Sequence, residues 1–379
     1  MTRFVVSATN LLKTLQTVSG AIGTNATLPI LEDFLLETSG DLLTISASDL
    51  DTSIVRSIEI QGSPGNNSVA IPSRILLDTL KTLPEQPITF AIDADLNQIE
   101  LIWQNGYSKI ATEPARDFPR IPEVTNEKNG FSIQSSILHN AINRTLFAVG
   151  NDDLRPAMNG VLTAINSEGI VFVATDAQKL VKFTHNEVTS AEHVQFILPK
   201  KALNLLKTAL PVNEDIAVAI KYDATNAHFL FNDTHIVCRL IDARYPDYEM
   251  VIPRNNDKKL VVNRKDLQNA LRRLSLFSSK STYQVVFKIS ADILNLTAQD
   301  LDFSNEAHEN IPCQFDGTED ISIAFNARFL LDMLNNIETE EVLFDFYSPI
   351  RAILMLPTAN QPNEDLLMLV MPIIISYSS

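Results

Sequence analysis

The feature that most constrains this chain is a threefold internal repeat. Phe4-Val5-Val6-Ser7 leads into Asn10-Leu11-Leu12-Lys13-Thr14-Leu15. Phe131-Ser132-Ile133-Gln134-Ser135 leads into Ile137-Leu138-His139-Asn140-Ala141-Ile142, and Leu260-Val261-Val262-Asn263 into Asp266-Leu267-Gln268-Asn269-Ala270-Leu271. Ser7, Ser135 and Asn263 stand 128 residues apart each time. All three are residue types that cap helix N-termini, so the repeat predicts a strand entering a helix three times. One unit used three times dictates architecture before chemistry.

Length agrees. A chain of 379 residues divides into three units of about 125, an ordinary domain size, and 45% apolar residues suffice for a core in each. In each copy a strand leads into an amphipathic helix, alternating strands follow, a second helix comes next, and more strands close the unit. Leu11, Leu15 and Val18 share one helix face with Leu12, opposite Lys13, Gln16 and Thr17. The second helices follow Pro72-Ser73-Arg74, Pro199-Lys200-Lys201 and Phe325-Asn326-Ala327-Arg328; proline is expected in their first turn. Mixed strands and helices in fixed order read as α+β. The proline-paired stretches Asp117–Glu123 and Tyr245–Pro253 read as connectors, which puts the domains at 1–127, 128–255 and 256–379.

The net charge is −16, from 46 acids and 30 bases. It opposes a general DNA-coating role, yet the charge is segregated. The six helix windows hold thirteen bases and three acids, and no glutamate. Good helix formers on a solvated face are one explanation. The other is a helical surface facing a polyanion, contacting phosphates without reading bases. Cys238 and Cys313 make neither a disulfide framework nor a metal pattern, and a reducing, cytoplasmic compartment is the expectation. No apolar run approaches the 18 residues of a membrane span.

Catalytic chemistry finds little support. Asp49-Leu50-Asp51 and Asp300-Leu301-Asp302 resemble paired carboxylates for Mg²⁺, but the middle copy reads Asp176-Ala177-Gln178, and turn-capping acids are the simpler reading. No phosphate-binding glycine motif, nucleophile elbow or paired-histidine site occurs. An enzyme using those carboxylates and a scaffold without DNA function stand as rival readings; no metal or cofactor is expected.

Four stretches carry a resemblance. Thr27-Leu28-Pro29-Ile30-Leu31, Ala174-Thr175-Asp176, Tyr245-Pro246-Asp247-Tyr248 and Val370-Met371-Pro372-Ile373 resemble, in order along the whole chain, the bacterial DNA polymerase III beta subunit family, the sliding clamps of DNA replication. The resemblance implies three DNA-clamp domains with helices lining the inside and antiparallel sheets outside. It implies a head-to-tail homodimeric ring around duplex DNA, a loader ATPase that opens it, and no catalysis. DNA-facing residues would be Arg74, Lys81, Arg144, Lys200, Lys201, Arg272 and Arg328. A pocket for short apolar peptides of polymerases and repair proteins would comprise Met158, Thr175, Leu180, Pro246, Val251, Leu369, Met371, Pro372 and Ile373. The subunit interface would use Ile110, Leu276 and Phe277. The chain departs from the family at Asn25, where an arginine is usual, at Pro156-Ala157, where aromatics are, at Ser108, where a larger apolar residue is, and in Ile374–Ser379, which continue past the usual end.

Overall fold

The computed structural model describes residues 2–23, 28–62, 65–93, 96–125 and 129–374. The Asn25 loop, the boundary expected between 127 and 128, and residues 375–379 lie outside them.

The repeat is complete at the level of elements. The first copy runs β1 (Thr2–Ser7), α1 (Ala8–Val18), β2 (Asp33–Ser39), β3 (Leu42–Ser48), β4 (Thr52–Glu59), β5 (Asn67–Pro72), α2 (Ser73–Thr82), β6 (Pro87–Asp93), β7 (Gln98–Trp103) and β8 (Gly106–Ala111), with a two-residue β9 (Glu113–Pro114) after it. The second runs β10 (Gly130–Gln134), α3 (Ser135–Leu146), β11 (Gly160–Asn166), β12 (Gly169–Thr175), β13 (Lys179–His185), β14 (Val194–Pro199), α4 (Lys200–Ala209), β15 (Ala217–Tyr222), β16 (Asn226–Phe231) and β17 (Thr234–Arg239). The third runs β18 (Lys258–Asn263), α5 (Arg264–Leu274), β19 (Gln284–Ile289), β20 (Ile293–Asp300), β21 (Asn305–Phe315), β22 (Ile321–Asn326), α6 (Ala327–Leu334), β23 (Glu341–Phe346), β24 (Ile353–Pro357) and β25 (Glu364–Val370).

Local chemistry sets the helix starts, with two surprises. Ser7 Oγ accepts from Asn10 N at 3.2 Å, and Asn263 Oδ1 from Lys265 N at 3.0 Å and Asp266 N at 3.1 Å, as the spacing predicts. Ser135 does not cap: its hydroxyl bonds the start of β15, accepting from Ile216 N and donating to Asp215. Asp215 supplies the cap instead, accepting from Ser136 N at 2.9 Å; that bond holds its carboxyl below the usual range. Pro72 and Pro199 occupy the cap position itself rather than the first turn.

The sheets do not respect the repeats. Strand order is β1-β6-β7-β8 in one sheet, β10-β15-β16-β17-β4-β3-β2-β5-β9 in a second and β14-β11-β12-β13-β25-β24-β23-β18-β21-β20-β19-β22 in a third. The last strand of the second copy, β17, pairs antiparallel with β4 of the first, Thr234 facing Arg56 and Val237 facing Ser53. The last strand of the third, β25, pairs in the same way with β13 of the second, Leu369 facing Leu180. Contacts accordingly gather into two compact units, Met1–His139 with Leu198–Leu240, and Asn140–Ile197 with Ile241–Ser379. Each unit is centred on a junction between repeats. In the first, Phe4 stacks on Phe90 with centroids 5.0 Å apart, and α1 packs on α2 and α4. The core of the second includes the Phe287, Phe325 and Phe344 cluster, and α5 packs on α6.

Candidate functional site

In the second unit a row of side chains crosses four strands: Leu354, Leu369, Leu180 and Thr175 are successive register partners on β24, β25, β13 and β12. All four are buried. The three leucines belong to an apolar cluster with Ala157, Leu162, Val173 and Ile197, against which Tyr245, Tyr248 and Ile252 pack. Tyr245 hydroxyl donates to Val173 O at 3.1 Å and its ring meets Tyr248 edge-on; burial pushes its phenol up, so it stays a neutral donor. The other residues expected at the pocket are less buried. Met158, Pro246, Pro372 and Ile373 are half-buried, while Val251 is 54% and Met371 41% exposed. Met371 N donates to Gln178 O at 2.9 Å and Ile373 N to Ala324 O at 2.8 Å, fixing the segment after β25. Leu180 and Leu369 are therefore core residues, and the exposed apolar side chains of Val251 and Met371 are the kind of surface that takes apolar anchors.

Sequence reasoning missed several charged residues near this cluster. Lys179 is buried, ion-paired to Asp176, with its ammonium 4.4 Å from the Phe329 ring centroid. Asp332 sits nearby; desolvation raises its pKa, against the pull of Lys179 and Arg328. Lys182 pairs with Glu249 at 2.7 Å and lies over the Tyr248 ring. The doubled tyrosines of Tyr245–Tyr248 were the available signal, since a pure connector has no need of aromatic anchors.

The helical cations divide into two kinds. Arg74 and Arg272 are exposed and carry no ion pair among the described residues. Lys81 is exposed and meets Asp78 at 3.1 Å. Arg328 lies with its guanidinium 3.5 Å from the Tyr283 ring centroid. Arg144 corrects the expectation. It is 6% exposed, bonded to Asn140 and bridged to Glu338 at 3.2 Å and Glu364 at 3.6 Å, so its charge is neutralised inside the second unit. Lys201 is also engaged, its Nζ donating to Asp49 Oδ2 at 2.5 Å and Ala21 O at 2.7 Å. Lys200 stands beside it in a groove of about 480 Å³ between α1 and α4, with Gln16, Thr17, Asn204 and Thr208 on the walls.

The acids at the strand ends close turns. Asp49 Oδ1 accepts from Asp51 N and Thr52 N, Asp176 Oδ1 from Gln178 N and Lys179 N, and Asp300 Oδ1 from Asp302 N. Among the described residues no group of three His, Cys, Asp or Glu side chains is placed to hold a metal. Of the residues expected at a subunit interface, Leu276 is 68% and Phe277 41% exposed at the end of α5. Ile110 corrects the expectation: its side chain is already buried in the first unit, so β8 has its backbone edge, not this side chain, to offer. No described helix is long and apolar enough to cross a membrane.

Comparison with known proteins gives one consistent answer. Family models described as the N-terminal, central and C-terminal domains of the DNA polymerase III beta subunit match residues 2–122, 132–247 and 249–373. The beta sliding clamp of Pseudomonas aeruginosa is 31% identical over 348 residues, spanning 90% of this chain and 92% of that one. That of Escherichia coli is 29% identical, with the same coverage of each. The crystal structure of the Pseudomonas aeruginosa sliding clamp with ligand superposes with a TM-score of 0.92 at 28% identity, covering 99% of this chain and 100% of that one.

Proposed function

The chain belongs to the DNA polymerase III beta subunit family, the bacterial sliding clamps, and from that premise we propose that two copies close head to tail into a ring around duplex DNA and tether the replicative polymerase there. The family is one of non-enzymatic processivity factors: the ring holds DNA by topology, so its phosphate contacts are best weak and salt-sensitive, leaving it free to slide.

The observation that carries the ring is a pair of open edges. Two junctions between repeats are closed inside the chain by the same strand addition, β17 on β4 and β25 on β13. The corresponding strands left over are β8, the last of its sheet, and the Asn305–Ile311 part of β21, beside which, among the described residues, only β20 pairs. An unpaired edge is a template for another strand. Equivalent hairpin positions (Trp103–Gly106 with Phe231–Thr234, Ala47–Ala298 through Ile54–Ala307) transfer the register and set Lys109 of one copy opposite Glu306 of the next. Leu276 and Phe277 flank that contact.

The groove of the second unit accepts short apolar peptides of polymerase subunits, of a clamp-loading ATPase and of repair proteins. Its exposed methionine suits a surface that adapts to several ligands. DNA-facing charge comes from Arg272, Lys200, Lys81 and Arg328, with Arg144 and Lys201 reassigned to structure. The test is retention after loading: the ring stays on circular DNA and slides off linear DNA, and its solution mass is about twice 42.1 kDa. Equal loss from circles and linear molecules refutes it.

A further inference from the structure

The three turn carboxylates differ in what neutralises them. Asp49 Oδ2 receives Lys201 from α4, and Asp176 Oδ2 receives Lys179 from its own turn. Asp300 is 5% exposed, keeps the turn bond to Asp302 N at 3.3 Å, and has no cation within ion-pair distance among the described residues. By strand register the position that holds Lys179 in the second copy holds Asn305 in the third, and the residue three past Asp300 is Phe303; neither is a cation. A carboxylate withdrawn from water without a counter-charge is costly, and its siblings show how the fold compensates it.

Lys201 lies two residues past the proline that caps α4. The residue two past the proline that caps α2 is Arg74, which is exposed and has no ion pair among the described residues. Its neighbour Ile75 is 51% exposed, whereas the matching Ala202 is fully buried. On the other side, Leu301 and Phe303 beside Asp300 are 86% and 73% exposed. Each half looks like a junction whose other half is absent.

We infer that Asp300 accepts an ion pair from Arg74 of a second copy, with Ile75 covering the Leu301–Phe303 turn, as Lys201 and Ala202 do for the first turn inside the chain. Arg74 is then a subunit-locking residue rather than a DNA contact. The inference rests on the ring reading and places a specific bond in it.

The test measures the dimer dissociation constant of the full chain by sedimentation equilibrium, for wild type, R74E, D300N, the double variant R74E/D300N, D300R and the charge swap R74E/D300R. D300N keeps the turn acceptor, so it guards against misfolding of D300R. R74E and D300N each weaken the dimer by about tenfold or more, R74E adds little on the D300N background, and the swap recovers most of the affinity. Unchanged dimer affinity in R74E overturns the pair, as does full additivity of R74E with D300N. Loss of DNA retention by R74E at normal dimer affinity returns Arg74 to DNA. A wild-type chain that stays monomeric at micromolar concentration sinks the ring reading itself.

Discussion

The two junctions inside the chain share a backbone and differ in what they display. In the first unit Arg239 N bonds Asp51 O at 2.7 Å; in the second, Met371 N bonds Gln178 O at 2.9 Å at the matching place. The register agrees too, Val237 facing Ser53 where Leu369 faces Leu180. The side chains then diverge. The first junction presents Ser48 and Ser53, hydroxyl to hydroxyl at 2.7 Å, under a rim closed by Asp51 and Arg239. The second presents Thr175 and Leu180 under Met371 and Pro372. One scaffold thus yields a polar seam in one unit and an apolar surface in the other, and a handful of side chains makes the difference.

That comparison can be broken. Grafting the first junction's residues onto the second (L180S, Q178D and M371R together) is expected to weaken a fluorescent polymerase-derived peptide by about 100-fold or more, because buried apolar anchors dominate such contacts; fluorescence anisotropy reads it. Near-wild-type affinity means the groove lies elsewhere.

Acid should separate the units next. His228 and His235 share a hydrogen bond of 3.0 Å across β16 and β17, and burial lowers both pKa values, that of His235 to about 4. Asp223 pulls that of His228 upward, Lys221 stands opposite it and Val55 opposite His235. Folding therefore favours the neutral rings. Their contribution is complete above the unfolded value of 6.5 and declines as pH falls below it, for His235 down to about 4, by at most about 1.4 kcal/mol per unit. Hydrogen exchange at pH 5 should show the first unit opening before the second; simultaneous opening counts against this pair.

Smaller effects test the seam. Ser48→Ala removes the partner of the Ser53 hydroxyl and the acceptor of Leu50 N, at a cost of about 1–3 kcal/mol in urea unfolding. Lys201→Ala loses a partly exposed pair and about 1 kcal/mol or less, shrinking further in high salt. A salt-independent loss would show that its bond to Ala21 O dominates.

Much of this was legible in the sequence, and the exceptions share a cause. The repeat, the Ser7 and Asn263 caps and the turn role of Asp49, Asp176 and Asp300 follow from local spacing. The pocket residues were proposed by resemblance, and the alignment of Leu354, Leu369, Leu180 and Thr175 in one row needed the cross-strand register. Arg144 was misread because Glu364 lies 220 residues further along, and Lys201 because Asp49 lies 152 earlier. Ser135 was misread because Asp215 reached its helix first. Long-range neighbours, not propensity, decided each case.

The middle repeat is divided: β10, β15 to β17 and the whole of α4 serve one compact unit, β11 to β13 the other, and α3 is split between them after His139. Cutting the chain at its proline-rich connectors would therefore strip β4 and β13 of the strands beside them, leaving sticky borders on every fragment. Anyone expressing a portion for crystallography or screening should choose termini by sheet membership, and a truncation that keeps the row Leu354, Leu369, Leu180 and Thr175 intact must carry both Asn140–Ile197 and Ile241–Ser379.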